Sequence, residues 1–390
     1  MQKSWFSLIV WLRFSPELCT MNTNTLKNYW HTLVIGGGQA GLATGYHLKK
    51  MNIDFLIVDA EARTGDAWRR RWNSLRLFTP AWNNGLPGHP FPGNQNSFPT
   101  KDEAADFLFE YKEKFELPVL YDSRVMMVKK LKNGFQIMLK DRMLETQNLV
   151  IATGSYAIPN IPAFAKELNG CIQQLHSSYY KSPNDLPEGN ILVVGAGTSG
   201  FQIALDLLQE KRTVFIAGKP TAQIPDFVFR YFGKQFVWMN KHILNTSTPM
   251  GRKFQARIMQ GKGAPLIHIS PEAAQRAGVK IVERLKSVQD GWPVTESGEK
   301  IEASAILWCT GFHSDYSWMD LPGAIAANGY PATARGVSSN HPGLYFVGSQ
   351  FQYSLTSTWL GGVGRDAGYI ANHIRVNRKS NYKSREKTLA

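Results

Sequence analysis

The chain has 390 residues, of which 43% are hydrophobic and 19% charged, and it carries a net charge of +14. That length supports two cores, and the composition excludes a disordered chain and an integral membrane protein. The three cysteines, Cys19, Cys171 and Cys309, show no Cys-x-x-Cys spacing, which excludes structural zinc or a redox disulfide relay and fits a reducing, cytoplasmic setting without a metal.

From the N-terminus, the apolar run Trp5 to Leu12 follows Lys3. It is too short to span a bilayer and lacks a small-x-small cleavage site. With Met21 ahead of the first strand, residues 1–20 read as an over-long start and 1–26 as a flexible terminus.

Thr32-Leu33-Val34-Ile35 then forms a buried-strand run, followed by Gly36-Gly37-Gly38-Gln39-Ala40-Gly41 and a helical pattern through Leu48. A second strand, Phe55 to Val58, ends on Asp59, 23 residues after Gly36. This is the strand, glycine turn, helix, strand and acid of a dinucleotide site. Gly36 permits the tight turn, Gly38 lets the backbone approach a pyrophosphate, Gly41 allows close helix packing, and Asp59 accepts from ribose hydroxyls.

The unit recurs as Ile191 to Val194, Gly195-Ala196-Gly197-Thr198-Ser199-Gly200, a helix through Leu208 and the strand Thr213 to Ile216. Twenty-three residues after Gly195 stands Gly218, followed by Lys219. The missing carboxylate and the adjacent lysine suit a ribose 2′-phosphate, so this site is expected to take NADPH, with NADH the alternative; a plain surface lysine is the other reading of Lys219.

Two further strands end in glycine turns, at Thr153-Gly154 and Thr310-Gly311, and read as two crossings between domains. Another strand-to-glycine junction ends at Gly348, ahead of a helical stretch from Gly361 to Ile374 whose N-terminus is positioned to face a flavin. The expected fold is α/β with two Rossmann-type domains, the NADPH domain inserted into the FAD domain. The FAD domain takes residues 27–156 and 306–376, the NAD(P)H domain 157–305, and 377–390 is a flexible basic tail.

The positive charge gathers at Arg69-Arg70-Arg71 and in the tail from Arg375 to Lys387. No nucleic-acid module accompanies it, so nucleic acid is not an expected partner. The aromatic segment Asp226 to Leu244 reads as a buried helix of the inserted domain, with a cover over the substrate entrance or a membrane-touching surface as alternatives.

At this point the chain resembles the class B flavin monooxygenases, in the bacterial branch similar to flavin-containing monooxygenases and Baeyer-Villiger enzymes. The likeness runs from residue 31 to about 374. Gly65-Asp66-Ala67-Trp68-Arg69 resembles the family's glycine-tryptophan stretch, and Leu75 to Pro80 with Pro90-Phe91-Pro92 resembles its flavin-lining loop. The resemblance implies that Trp68 and Thr79 contact the flavin region and that Val125 offers its backbone to the adenine. Of the family fingerprint the chain keeps His176 and Tyr180, while Gly170 and Ile172 occupy its Phe and Gly positions. His176 is either a bridge between domains that coordinates cofactor movement or an ordinary loop histidine. No asparagine matches the family's active-site asparagine, because alignment on Pro90-Phe91-Pro92 places Phe78, Thr79 or Pro80 there.

The implied flavoprotein oxidoreductase takes hydride from NADPH onto FAD and, through a flavin hydroperoxide, passes one oxygen of O₂ to a small sulfide, amine or ketone. Trp68, Arg76, Thr79 and His176 are the catalytic candidates, each with a plain packing or turn role beside it. A disulfide reductase lacks its paired cysteines. An NADPH oxidase, or a redox-sensing or transport-associated flavoprotein, is the remaining alternative. No stable membrane insertion is expected, and a homodimer is left open.

Overall fold

A computed structural model describes residues 27–259 and 265–389. The expected over-long start, with Trp5–Leu12, Cys19 and Met21, lies outside the described residues, as do Lys262 and Ala390. Among the described residues, no helix is long and apolar enough to cross a membrane.

The first unit opens with β1 (Tyr29–Ile35), α1 (Gln39–Lys50) and β2 (Phe55–Val58). Leu33, Val34, Leu56 and Ile57 are fully buried, the near-continuous apolar run of strands covered on both faces. After the single turn α2 (Asp66–Arg69), the long helix α3 (Lys101–Lys114) starts on a capping box, with Thr100 Oγ1 accepting from Glu103 N–H and the Glu103 carboxylate accepting from Thr100 N–H. Strand β3 (Val119–Leu120) then pairs in parallel with β2, as β2 does with β1. An antiparallel meander follows, β4 (Met127–Leu131), β5 (Gly134–Met138) and β6 (Met143–Ile151). From Glu145 to Ile151, β6 lies parallel to β1.

The two-residue strand β7 (Ile158–Pro159) begins the passage to the second unit, which opens with β8 (Gln173–His176) and β9 (Asn190–Val194). Helix α4 (Thr198–Gln209) joins β9 to β10 (Thr213–Ala217). The short pair β11 (Gln223–Ile224) and β12 (Leu266–Ile267) brackets two helices, α5 (Asp226–His242) and α6 (Pro249–Met259). After α7 (Pro271–Ala277) come β13 (Lys280–Val282), the hairpin β14 (Leu285–Gln289) with β15 (Trp292–Thr295), and β16 (Ala305–Trp308). The sheet order is β13-β10-β9-β16-β8, with every neighbouring pair parallel.

Strand β16 therefore belongs to the inserted unit, and the return expected at residue 306 falls a few residues later. The reason is its composition: Ala305 to Trp308 is fully buried and lies inside the second sheet, between β9 and β8. The chain crosses back through β17 (Phe312–His313), which pairs antiparallel with β7. Asn160 N–H donates to Gly311 O at 3.0 Å, Asn160 Nδ2 donates to Thr310 O at 3.1 Å, and Thr310 Oγ1 donates back to Asn160 O. The two crossings thus clamp each other into one seam.

The first sheet is completed by β18 (Met319–Asp320), β19 (Thr333–Ala334), β20 (Val337–Ser338) and β21 (Leu344–Phe346). Strand β21 lies parallel to Leu149–Ile151, so the C-terminal end of β6 is flanked by β1 and β21 while its N-terminal half carries the meander. Helix α8 (Val363–Leu389) packs on α1, with Gly368 against the His47 ring and Gly364 O 3.2 Å from His47 Nε2. Its backbone runs on past the expected end at Ile374, through the expected flexible tail to Leu389. No glycine or proline after Gly368 stops it.

Candidate functional site

The two glycine turns show the same division of labour. Gly36 has φ +107°, and a Cβ there would stand 2.6 Å from Ala152 O; a Cβ on Gly41 would collide with Gly36 O. Gly195, at φ +115°, and Gly200 are constrained in the same way by Cys309 O and Gly195 O. The middle glycines differ, because a Cβ on Gly38 or Gly197 would meet nothing within 4 Å. The protein itself demands the outer glycines. The middle ones keep open the space at the first turns of α1 and α4, where unpaired N–H groups and the helix dipole favour an anion. Neither first turn holds an acidic residue, and Thr198 and Ser199 open α4.

Asp59 reaches back to the first turn. Its carboxylate accepts from Gly37 N–H at 3.1 Å and from Glu61 N–H at 3.2 Å. Burial pushes its pKa up to about 6, against the lowering effect of those bonds. Val125 is half-buried at the edge of the same core; two residues before it, Ser123 N–H donates to Asp59 O at 2.7 Å. In the second unit Gly218 has φ +139°, and a Cβ would stand 3.1 Å from Ala196 N. Lys219 is exposed beside it.

Strand ends and loops converge beside these turns. Gly348, after β21, packs against Ala40 in α1, and Gln39 Nε2 donates to Thr358 O at 2.8 Å, tying the first glycine turn to a 3₁₀ turn ahead of α8. Asp366, fully buried in the first turn of α8, has its pKa raised by burial, with the Arg365 guanidinium opposing. Thr153 and Gly154 follow β6, and Gly154 is also open, with no atom within 4 Å of a Cβ.

At the seam His176 is 2% exposed. Its Nδ1 accepts from Ser178 N–H at 3.2 Å, so Nε2 carries the proton and donates to Gly311 O at 3.1 Å. Burial lowers its pKa, and nearby Arg71 adds to the effect. Its geometry is that of a neutral bridge between β8 and the second crossing, with both nitrogens engaged; it is not placed as a proton-transfer base. Arg71, which sequence reasoning treated only as part of a basic cluster, lies over the Tyr156 and Phe312 rings at 5.8 and 5.5 Å, joining the first unit to both crossings.

Trp68 is half-buried in α2 against the main core. Arg69 fastens that turn to α3, with ion pairs to Asp66 at 3.1 Å and Asp106 at 2.6 Å. Arg76 is exposed and its guanidinium donates to Phe98 O at 3.0 Å, while Gln202 Nε2 of α4 donates to Arg76 O at 3.2 Å. Arg76 is therefore a contact between units. Its guanidinium is held by the loop.

Thr79 is 3% exposed, and its hydroxyl donates to Asn84 Oδ1 at 2.6 Å while Asn84 Nδ2 donates to Thr79 O at 2.9 Å. The pair locks the loop whose Phe78 packs edge-on against Trp359. Positions 78–80 hold no asparagine, but a 3₁₀ turn over Ala81–Asn83 delivers two buried ones just beyond, Asn83 and Asn84. Asn84→Ala leaves a buried hydroxyl and carbonyl unpaired, so the expected cost is roughly 3 kcal/mol of stability, measurable by urea unfolding.

Among the described residues no group of three or more His, Cys, Asp or Glu converges on a metal site. Cys171 and Cys309 are free, and burial pushes the Cys309 thiol up to about 12, which keeps it from acting as a thiolate. The arrangement offers two backbone-lined anion seats joined by one seam.

Residues 33–226 match the family model described as pyridine nucleotide-disulphide oxidoreductase. The chain is 38% identical over 346 residues to an uncharacterized CzcO-like oxidoreductase of Geobacillus kaustophilus, covering 88% of this chain and 97% of that protein. It is 26% identical over 387 residues to a probable indole-3-pyruvate monooxygenase, YUCCA8, of Arabidopsis thaliana, covering 88% of each. Among solved structures it is similar to a flavin-containing monooxygenase from Stenotrophomonas maltophilia, with TM-score 0.74, 25% identity and coverage of 90% and 99%. It also shares its fold with the OTEMO complex with FAD and NADP, with TM-score 0.63, 14% identity and coverage of 90% and 86%.

Proposed function

The chain belongs to the CzcO-like oxidoreductases within the flavin-dependent monooxygenase family, and on that premise we propose that it is an FAD-dependent, NADPH-driven monooxygenase acting on a small organic sulfide, amine or ketone. The observation that carries this reading is the pair of open glycine seats at Gly38 and Gly197, one backed by Asp59 and the other by Gly218 and Lys219.

The residues fit the two cofactors. The open space over Gly38 admits a pyrophosphate that a side chain would exclude, and Asp59 keeps a carboxylate for ribose hydroxyls. Gly197, Thr198 and Ser199 line the second seat. When bound, the nicotinamide and flavin supply hydride transfer and the activation of O₂. The chain orients and shields. Phe78 and Trp359 form an apolar wall, the Thr79–Asn84 pair fixes the loop beside it, and His176 with Arg71 holds the seam between the units.

The test measures NADPH oxidised, O₂ consumed, H₂O₂ released and product formed by the FAD-loaded protein, with methyl phenyl sulfide, a tertiary amine and a cyclic ketone as trial substrates. Product accounting for most of the NADPH with any of the three supports the reading. Stoichiometric peroxide with all of them points to an oxidase or a redox sensor.

Asp59 makes FAD affinity depend on pH. Ribose hydroxyls donate to the ionised carboxylate, which is fully present above about pH 7 and must expel its proton on binding below about 6. The FAD dissociation constant is expected to be flat above pH 7 and to rise by up to about tenfold per unit below 6, and Asp59→Asn should flatten that rise. The sign reverses for the cofactor-free fold. A raised carboxyl pKa costs stability above about 6, and that cost is relieved as pH falls through 6.

A further inference from the structure

The aromatic segment expected to be a buried helix is amphipathic. The inner face of α5 buries Val237 and Asn240, and Val237 packs with Trp359 and Ile267, against which Phe78 and Leu355 also lie. The outer face presents Phe227 at 57% exposure, Tyr231 at 68% and Trp238 at 57%. Phe227 and Tyr231 lie one turn apart ahead of Phe232, and Trp238 lies one turn from the exposed Lys234 after it. Phe232 breaks the helical geometry at φ −125°, ψ 17° and is itself 53% exposed.

Charge singles out the same stretch. Between Phe227 and Pro271 the sequence has seven lysines and arginines and no aspartate or glutamate, so about a ninth of the chain holds half of its +14. Exposed rings on a basic helix match an interfacial surface, where the rings enter the headgroup boundary and the cations meet anionic lipid. A second copy seated on this face would bring like charges together.

We propose that the outer face of α5 docks the protein on the surface of an anionic lipid bilayer. The same helix covers the Phe78–Trp359 wall with its other face, so docking sets the roof of the candidate site on the membrane. The attachment is peripheral, and it does not depend on the oxygenation reading.

The experiment is co-sedimentation of the full-length protein with phosphatidylcholine vesicles, with and without a quarter of phosphatidylglycerol, at physiological and at high salt. Partitioning at least about tenfold stronger onto the anionic vesicles, weakened by salt, is expected. Tyr231→Ser/Trp238→Ser should abolish most of it while leaving the melting temperature within about 2 °C, since both side chains are exposed. Equal partitioning onto both vesicles, or undiminished binding by the folded double variant, would overturn the proposal. So would no vesicle binding together with self-association, or with binding to an acidic peptide, that the double variant loses.

Discussion

Gly197→Val is expected to give a yellow, folded protein that NADPH barely reduces, whereas Gly38→Val gives a folded protein that does not retain FAD. Both glycines lie in extended backbone, φ −95° and −77°, which any residue adopts. Neither valine meets protein atoms near its Cβ, so the folds should survive. What the valine fills is the seat over the helix N-terminus. Losing two charge-assisted hydrogen bonds to a pyrophosphate, about 1.5 kcal/mol each, corresponds to roughly a hundredfold in affinity. The Gly197 variant is checked by anaerobic titration, in which dithionite should still bleach the flavin and NADPH should fail at wild-type concentrations. Gly41→Val is the contrast, since its Cβ collides with Gly36 O and the expected result is insoluble protein. Wild-type reduction of the Gly197 variant by NADPH would remove the second seat from the reading.

The features legible in the sequence are those set by neighbours along the chain. The run Thr32–Ile35, the glycine turn and the strand ending at Asp59 specify strand, turn, helix and strand within one short unit, and its recurrence at Ile191 reveals the second unit. The crossings at Thr153-Gly154 and Thr310-Gly311 were also visible, because buried strands must end where glycine permits the turn. What escaped depends on contacts between distant residues. Ala305–Trp308 reads equally well as the last strand of one unit or the first of the next, and only its pairing with β9 and β8 decides. The Thr79–Asn84 pair is hidden because a 3₁₀ turn brings together side chains that linear alignment keeps apart. Arg71 shows the same limit, since a triple-arginine run looks like a solvated face until two rings from either crossing close over it. The α5 helix shows it in reverse: its apolar content resembles core, yet Phe227, Tyr231 and Trp238 on either side of its kink stand in solvent.

On the proposed reading, Lys219→Glu is expected to reverse the coenzyme preference. Gly218 at first suggests NADPH by lacking the acid found at Asp59. Its φ of +139° and the 3.1 Å approach of a Cβ to Ala196 N show that the backbone demands glycine there for either coenzyme. On the proposed reading, selection then falls to the exposed ammonium of Lys219, the cation available to a ribose 2′-phosphate beside Gly218. An exposed ion pair contributes about 1 kcal/mol, so Lys219→Ala should weaken NADPH about fivefold and leave NADH unchanged. Replacing attraction by repulsion, about 2 kcal/mol in all, should move the ratio of NADPH to NADH efficiency by about thirtyfold, and Lys219→Arg should retain the wild-type preference through its bidentate fork. Steady-state kcat/KM for both coenzymes, taken at low and high salt, decides the matter. A preference that shrinks with salt and collapses in the glutamate variant assigns the 2′-phosphate to Lys219, while an unchanged ratio places coenzyme selection on another residue of the second unit.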